Sequence, residues 1–281
     1  MSLFRIGSNL QAMDSLKSLY ETNNKISVRQ ARLASGKRIN TAQDDTAGYA
    51  IAKSLTARKN GLTSALSNVV NASSVLAIAE GGYQNQMDLL QTVKDKAVQA
   101  ADDALSDDQR AAIDKQVYQL LTELDEIAAQ TKWSGTSIIN AATPFSFHVG
   151  GNTGEELLVT LAASLSSTYS LEALATEDGD GNIGTGVDEA DAAIDTIDTA
   201  IDALATTIQT VGDTMVRLGK KESFLTTSVS NTDAVRSTYE DADFAVEQME
   251  LLKLQIMQQT SVVALAQANT SPAVVLQLFG K

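Results

Sequence analysis

The chain of 281 residues contains no cysteine, one histidine, two prolines and only 5% aromatic residues. Without cysteine it has no disulfide, thiolate nucleophile or zinc-thiolate site, and one histidine cannot build a multi-histidine metal site. Scarce proline and few aromatic residues favour long helices over a many-stranded sandwich or barrel. We therefore expect no catalytic residue, metal or cofactor, and we interpret His148 as a structural side chain.

Positive charge is missing from one long segment. Residues 133–216 hold 13 acidic side chains and no Lys or Arg, within a chain of formal net charge −14. Residues 1–62, by contrast, carry 10 basic and 4 acidic side chains. An anionic surface repels phosphate backbones, and the basic residues of the start are scattered without interleaved aromatic residues. We expect no nucleic-acid partner.

Long apolar runs are also absent. Residues 1–8 lack the apolar centre of a secretory leader, and no run approaches the ~18 apolar residues of a membrane span. We expect no membrane partner, although a leaderless export route would leave no mark of this kind.

Apolar periodicity is abundant. Spacings of three and four, with one step of seven, separate the apolar residues Ile194, Ile197, Ile201, Leu204, Ile208, Val211, Met215, Leu218, Leu225 and Val229. The same alternation runs through residues 62–90 and 113–127, with a turn at 106–109. A sustained repeat of 3.5 residues predicts at least three long helices that pack along coiled-coil seams. Gly81 and Gly82 inside the first of these helices predict a close helix approach or a bend.

The middle of the chain changes period. Residues 145–149 and 157–161 are strand candidates joined by the glycine-rich segment 150–154, which predicts a small β-hairpin. Residues 162–186 are rich in Ser, Thr, Asp and Gly and predict a surface loop. The sequence leaves open whether this loop carries sugars on its hydroxyl side chains Ser164, Ser166, Ser167 and Thr168.

Four side chains match the spacing of calcium-loop ligands: Asp178, Asp180, Asn182 and Glu189. Position 6 of such a loop needs a glycine for its sharp turn and here holds Ile183, while position 8 holds Thr185 in place of an apolar residue. We therefore expect no specific calcium site. A metal hydrolase centred on this acidic segment has no further support in the sequence.

Both ends of the chain expose more apolar surface than one helix seam can cover. We predict that these residues are buried between different copies of the chain, because a helix with several apolar faces needs a core or a partner. The predicted assembly interface comprises Ile6, Leu10, Met13, Leu16, Met249, Leu252, Ile256, Val263 and Leu276.

Two terminal motifs resemble those of bacterial flagellins. They are LASGKRINTAQDDTAG at residues 33–48, and EDADFAVE at 240–247 followed by IMQQTSVVALAQAN at 256–269. The internal segments WSGT at 133–136 and FHVGGNTGE at 147–155 are similar to family turns and hairpins. The resemblance implies a mainly α fold with long antiparallel coiled-coil-like rods, paired terminal helices and a small β-hairpin module. It assigns residues 1–40 and 236–281 to the terminal helices of an inner tube, 41–140 and 188–235 to the rods, and 141–187 to a small exposed module.

The same resemblance implies a structural subunit that polymerises into the flagellar filament for motility. It implies as partners other copies of the chain, an export chaperone, the type III export apparatus, and filament cap and junction proteins. The expected location is the extracellular flagellum, with a periplasmic filament as the alternative. The alternative function is a hook-filament junction adaptor. Adaptors have a stretch that resembles NPSDDP where this chain has NTAQDDT, without proline, at residues 40–46, so the chain departs from the adaptor pattern.

One rod segment departs from the flagellin pattern. Relatives recognised by the flagellin-binding Toll-like receptor resemble LQRVRELAVQ, whereas residues 90–99 here are LQTVKDKAVQ. Thr92 and Lys94 replace arginines, and Lys96 replaces a leucine. The loss of a multi-donor cation and of an apolar contact predicts weak receptor recognition.

Overall fold

The computed structural model describes residues 9–279, apart from the side chains of Thr143 and of residues 271–279. The described helices are α1 (Leu10–Ser35), α2 (Thr46–Ala100), α3 (Asp107–Gln130), α4 (Asn182–Thr185), α5 (Val187–Glu240) and α6 (Phe244–Phe279). The strands are β1 (Lys132–Trp133), β2 (Thr136–Ser137), β3 (Thr143–His148) and β4 (Glu156–Leu161). The expectation of a mainly α fold with long helices and a small hairpin is confirmed.

The chain divides into two compact units, the first formed by Met1–Lys59 and Ser230–Lys281 and the second by Asn60–Val229. In the first unit α1 packs along α6. Asn9 caps α1 by accepting a hydrogen bond from the Ala12 amide at 3.1 Å, and its side-chain amide donates to the Ala268 carbonyl of α6 at 2.8 Å. The predicted pairing of the terminal helices is confirmed.

Gly36 lies where α1 ends and the chain turns. Its φ of 69° is in the left-handed region, which glycine enters without the steric cost of a Cβ atom. The carbonyl of Gly36 accepts a hydrogen bond from the Ala242 amide at 3.0 Å, and the Arg38 amide donates to the Glu240 carbonyl at 2.7 Å. These backbone bonds fasten the end of α1 to the junction between α5 and α6.

The second unit has a continuous core between α2, α3 and α5. The seam of α5 divides as its period predicts: every seventh residue is buried, namely Ile197, Leu204, Val211, Leu218 and Leu225. The residues that alternate with them are partly buried against the same core, namely Ile194, Ile201, Ile208, Met215 and Val229. This two-level burial is typical of a coiled-coil seam.

Gly81 and Gly82 predict a close helix approach or a bend; Gly82 lies at a close approach, whereas a Cβ atom at Gly81 would meet nothing within 4 Å. A Cβ atom at Gly82 would lie 2.8 Å from Thr131 Oγ1 and 2.9 Å from Ile139 Cδ1, so a larger residue would force these side chains of the segment that follows α3 to move. The helix continues through this point without interruption. The glycine therefore serves packing and not a helix break.

Two antiparallel strand pairs follow α3. β1 and β2 are joined through Ser134 and Gly135, both at positive φ, as a tight hairpin turn requires. β3 pairs with β4 from Thr143 opposite Leu161 to His148 opposite Glu156. The predicted hairpin is confirmed.

The prediction of a surface loop at residues 162–186 is wrong for much of the segment. Four of its side chains are at most 2% exposed. Leu171, Leu174 and Ile183 belong to the apolar core of the second unit, and Ser164 is a buried polar side chain. Polar composition misleads here because the serines are buried with hydrogen-bond partners on α2 and α3, which removes the cost of burying them.

Candidate assembly interface

The outer face of α1 carries four large apolar side chains in contact with solvent. Leu10, Met13, Leu16 and Tyr20 are 58%, 64%, 56% and 70% exposed, and their spacing places them on one side of the helix. Thr22 and Ile26 of α1, in contrast, are buried. α1 therefore presents a second apolar face that α6 does not cover.

α6 repeats this arrangement. Its exposed apolar residues include Met249 (63%), Leu252 (57%), Ile256 (64%) and Val263 (69%). Phe244, Val246, Met257 and Val262 widen the same exposed surface. Among the side chains of α6 that the structure describes, the buried apolar ones are Leu254 and Ala268. A helix with apolar side chains on several faces requires more than one neighbour.

All predicted interface residues whose side chains the structure describes are exposed, which leaves them available to another molecule. Ile6 lies outside the described residues. Leu276 falls in the last part of α6, where the side chains lie outside the description. The assignment of these residues to an interface between copies stays a prediction.

Ion pairs lock α1 against α6. Glu247, only 5% exposed, accepts hydrogen bonds from Arg29 Nη1 at 2.9 and 2.7 Å and from Arg32 Nη1 at 3.5 Å. The bonds fix the register of the two helices because both arginines belong to α1 and the carboxylate belongs to the first turn of α6. The sequence pattern did not reveal this cluster, although a glutamate in a first helical turn opposite arginines spaced by three is a usable signal.

A second charged cluster holds the end of α5. Glu240 accepts from Lys37 Nζ at 2.7 Å and from Arg236 at 2.8 Å. The hydrogen bond from Lys37, reinforced by Arg236, holds the pKa of Glu240 below its usual value in spite of burial. Asp233 pairs with Lys59 at 2.9 Å and with Arg236, and these hydrogen bonds lower its pKa in the same way.

Thr92, Lys94 and Lys96, the residues of α2 that depart from the receptor-recognised pattern, each have different neighbours. Lys94 forms an ion pair with Asp198 of α5 at 2.5 Å. The exposed Thr92 donates its hydroxyl to the Asp88 carbonyl of its own helix. Thr92 and the half-buried Lys96 line a groove between α2 and α3 with a volume of about 480 Å³. The effect of these residues on recognition stays a prediction.

The segment at residues 178–189 that resembles a calcium loop in spacing packs against α3. Ile183 is fully buried, and Asp114 Oδ2 of α3 accepts hydrogen bonds from the amides of Thr176 at 3.0 Å and Gly181 at 3.3 Å. Burial raises the pKa of Asp114 despite these bonds. Within residues 9–279 no group of three or more His, Asp or Glu side chains is arranged to hold a metal ion.

Two hydroxyls that the sequence placed in an exposed segment are buried, so the expectation of exposure is wrong for them. Ser164 donates to Gln86 Oε1 at 2.5 Å, and Ser166 donates to Asp125 Oδ2 at 2.6 Å. Ser167 and Thr168 are exposed. A sugar on Ser164 or Ser166 would require these buried bonds to open.

One described helix, α2, contains a window long and apolar enough to cross a membrane by composition alone, with a mean hydropathy of 1.4. Core helices of soluble proteins pass the same test. Val69, Leu76 and Leu90 of α2 are fully buried in the core of the second unit, which accounts for much of its apolar composition.

Comparison with known proteins identifies the pattern at both ends. The family described as the bacterial flagellin N-terminal helical region matches residues 6–143, and the bacterial flagellin C-terminal helical region matches residues 194–279. The flagellar filament core protein flaB2 of Brachyspira hyodysenteriae is 28% identical over 285 residues, covering 98% of this chain and 99% of the relative.

A solved structure shares the fold. The structure of a putative flagellar hook-associated protein from Vibrio parahaemolyticus has a TM-score of 0.56 with 12% identity, and covers 70% of this chain and 100% of that one. At this identity the likeness concerns the fold alone. A flagellin from Halalkalibacterium halodurans is 32% identical over 276 residues, covering 98% of this chain and 99% of the relative. With this identity along nearly the whole of both sequences, the chain belongs to the bacterial flagellin family.

Proposed function

We propose that this chain is a structural subunit of the bacterial flagellar filament and that it polymerises through the exposed apolar faces of α1 and α6. The observation that supports the proposal is the pair of apolar faces on the terminal helices, with side chains such as Met13 and Val263 more than 60% exposed. Leaving such faces in water is unfavourable, since full burial of one large apolar side chain contributes roughly 1.5–3 kcal/mol.

The two helices also suit an open polymer. α1 and α6 offer different apolar faces, so a contact between the face of one copy and a different face of the next is heterologous. Heterologous contacts whose rotation does not close a ring generate helical filaments. The proposed function includes no catalytic step, and family membership favours the filament subunit over a junction adaptor.

A substitution in the exposed face of α6 tests the proposal. Leu252→Asp or Ile256→Asp should abolish filaments, because a carboxylate would be buried without a partner at every contact. Circular dichroism of the soluble chain should remain helical, since both positions are exposed in the single copy. Leu252→Met, which keeps the apolar surface, is the matched control and should polymerise. Normal filaments from either aspartate variant, seen by electron microscopy, would refute the assignment of this face.

We propose that the filament is extracellular and that the chain leaves the cell with an export chaperone and the type III export apparatus, before assembly with cap and junction proteins. The resemblance of the terminal motifs supports this route. Immunogold labelling of intact cells should decorate external filaments. Labelling only after the outer membrane is permeabilised would indicate a periplasmic filament instead.

We also propose weak activation of the flagellin-binding Toll-like receptor, because Thr92 and Lys96 replace an arginine and a leucine of the recognised pattern. Restoring both with Thr92→Arg and Lys96→Leu should raise the response of reporter cells several-fold, since one guanidinium and one apolar contact typically carry much of a local interface. Lys132→Leu, a change at an exposed lysine outside the segment, is the control. An unmodified chain as potent as a standard flagellin would contradict the proposal.

A further inference from the structure

Residues 173–185 form a small closed loop between β4 and α5, which we call the flap. Two backbone hydrogen bonds close its neck, from the Asn182 amide to the Ala173 carbonyl at 3.2 Å and from the Ile183 amide to the Leu174 carbonyl at 3.0 Å. Among the described residues, no backbone-to-backbone hydrogen bond joins the flap to α2, α3 or α5. The flap therefore carries its own backbone bonds and can keep them when it separates from the helices.

The flap is fastened to α3 at Asp114. The Oδ2 atom of Asp114 accepts hydrogen bonds from the Thr176 amide at 3.0 Å and from the Gly181 amide at 3.3 Å. A Cβ atom at Gly181 would lie 2.6 Å from Asp114 Oδ1, and a Cβ atom at Gly184 would lie 3.2 Å from Asp114 Cβ. The backbone of the flap therefore rests directly on this side chain.

This attachment combines favourable and unfavourable contributions. Leu174 and Ile183 are at most 2% exposed, and their burial favours the closed flap. Asp114 is also fully buried, but its Oδ1 atom has no hydrogen-bond partner among the described residues. Burial raises the pKa of Asp114, and the nearby charge of Asp180 on the flap acts in the same direction. Closing the flap therefore disfavours the carboxylate beneath it, and opening would let water solvate both of its oxygens.

The segment that precedes the flap is attached more firmly. Asp125, about three turns further along α3, uses both carboxylate oxygens to accept from the Ser166 amide at 2.7 Å and from its hydroxyl at 2.6 Å. Gln86 of α2 donates to the Ser164 carbonyl at 2.9 Å and accepts from the Ser164 hydroxyl at 2.5 Å. This segment is one fixed end of the flap, and the start of α5 is the other.

We infer that the flap opens from α3 as a unit while the long helices stay folded, and that Asp114 controls how often it opens. Opening breaks the two hydrogen bonds to Asp114, keeps the bonds of the neck and hydrates the buried carboxylate. Such local opening needs less free energy than global unfolding, because it exposes only a small part of the core. The motion lies within the second unit and goes beyond the proposed function, so the soluble chain is sufficient to test it.

Amide hydrogen exchange of the soluble full chain, measured for single residues by NMR, tests the opening. The amides of Thr176 and Gly181 should exchange together, at least about tenfold faster than the Val117 amide inside α3 after correction for intrinsic rates. Low concentrations of urea should accelerate exchange at Val117 more than at Gly181, because opening the flap exposes less surface than unfolding the helices. Equal protection with equal urea dependence at these positions would overturn the inference.

Two substitutions of Asp114 test its control of the flap. Asp114→Asn keeps an oxygen for the two amides and removes the buried charge, so exchange at Thr176 and Gly181 should slow several-fold at pH 7. Asp114→Ala removes the acceptor and should accelerate exchange at both amides by at least about tenfold. If the carboxylate served only as a hydrogen-bond acceptor, both variants would exchange faster, and that result would overturn the inference.

Asp125→Asn is the matched control, because it changes the other carboxylate of α3 that binds this part of the chain. It should accelerate exchange at the Ser166 amide and leave exchange at Gly181 as in the unmodified chain. An effect at Gly181 as large as that of the Asp114 variants would show that the whole segment loosens together, and the flap would not be a separate unit.

Discussion

The two units of the molecule handle apolar surface in opposite ways. The second unit packs α2, α3 and α5 around side chains such as Tyr83 and Leu124, both fully buried. The first unit is built mainly on the pair α1 and α6, together with the start of α2 and the end of α5, and most of the large apolar residues of α1 and α6 whose side chains the structure describes are exposed. The second unit buries more apolar surface because three long helices pack together there, whereas the pair α1 and α6 buries only the stripe between the two helices.

Charge follows the same division. The first unit has 13 basic and 10 acidic residues, net +3, and the second has 8 basic and 25 acidic residues, net −17, which together give −14. Strong like charge opposes close association of identical surfaces. The nearly neutral apolar unit is therefore suited to burial between copies, and the anionic unit to contact with water.

The largest expected difference between the units concerns leucine truncation. Leu124→Ala in the second unit should lower the free energy of unfolding of the soluble chain by about 2–5 kcal/mol, because it opens a cavity in a closed core. Leu252→Ala in the first unit should change it by only about 0.5 kcal/mol, because that side chain is exposed. Urea unfolding followed by circular dichroism measures both. Equal losses would show that the exposed face of α6 is already covered in the single chain.

A smaller effect is expected at the charged contact that holds the first unit together. Glu247→Gln should cost about 1.5–3 kcal/mol, because hydrogen bonds to charged groups contribute that much and Arg29 and Arg32 lose their shared partner. Hydrogen exchange of the amides of α1 should report the loss.

Glu250→Gln is the matched control on the same helix. Its carboxylate pairs with Lys253 at 3.5 Å on the surface, and the change should cost less than about 1 kcal/mol. If the backbone amides of α1 exchanged their hydrogens at the same rate in both variants, Glu247 would have no special role in setting the register of α1 and α6.

The smallest effect concerns Asp114 in the second unit. Burial raises its pKa in the folded chain, so the folded state binds this proton more tightly than the unfolded state. Its contribution to stability is therefore present below the unfolded pKa and is lost as pH rises through the folded value. The free energy of unfolding of the Asp114→Asn variant, relative to that of the unmodified chain, should therefore be higher at pH 7 than at pH 4.

Urea unfolding at both pH values measures this dependence, with the exposed Asp178→Asn as control. An unchanged pH dependence in the Asp114 variant would contradict the role of burial at this carboxyl group.

Much of the second unit could be predicted because its determinants are local. The seven-residue repeat of Ile197, Leu204 and Val211 fixes which side of α5 faces a core, whatever that core is made of. The hairpin of β3 and β4 follows from two short apolar strands around a glycine-rich turn. Gly81 and Gly82 could be predicted to mark a close approach or a bend, because glycine inside a long helix is costly unless packing requires it, and the close approach is found at Gly82.

The residues that the sequence did not reveal depend on contacts between distant segments. Ser164 and Ser166 belong to a polar segment, and only the partners Gln86 and Asp125 make their burial favourable. The sequence assigned no contact to Asp114, and Glu247 stood out only as the end of the EDADFAVE motif. Their roles arise from the backbone amides of residues 176 and 181 and from two arginines on another helix. Such partners are separated by 41 to 218 positions.

The sequence by itself determined the helical periodicity, the charge division and the excess of apolar surface at the two ends, because each is a property of residue type and spacing. Tertiary structure decided which side of α1 and α6 is covered, which serines are buried and which partners hold Asp114 and Glu247. These outcomes depend on the competition of side chains for partners in space, and spacing along the chain does not record that competition.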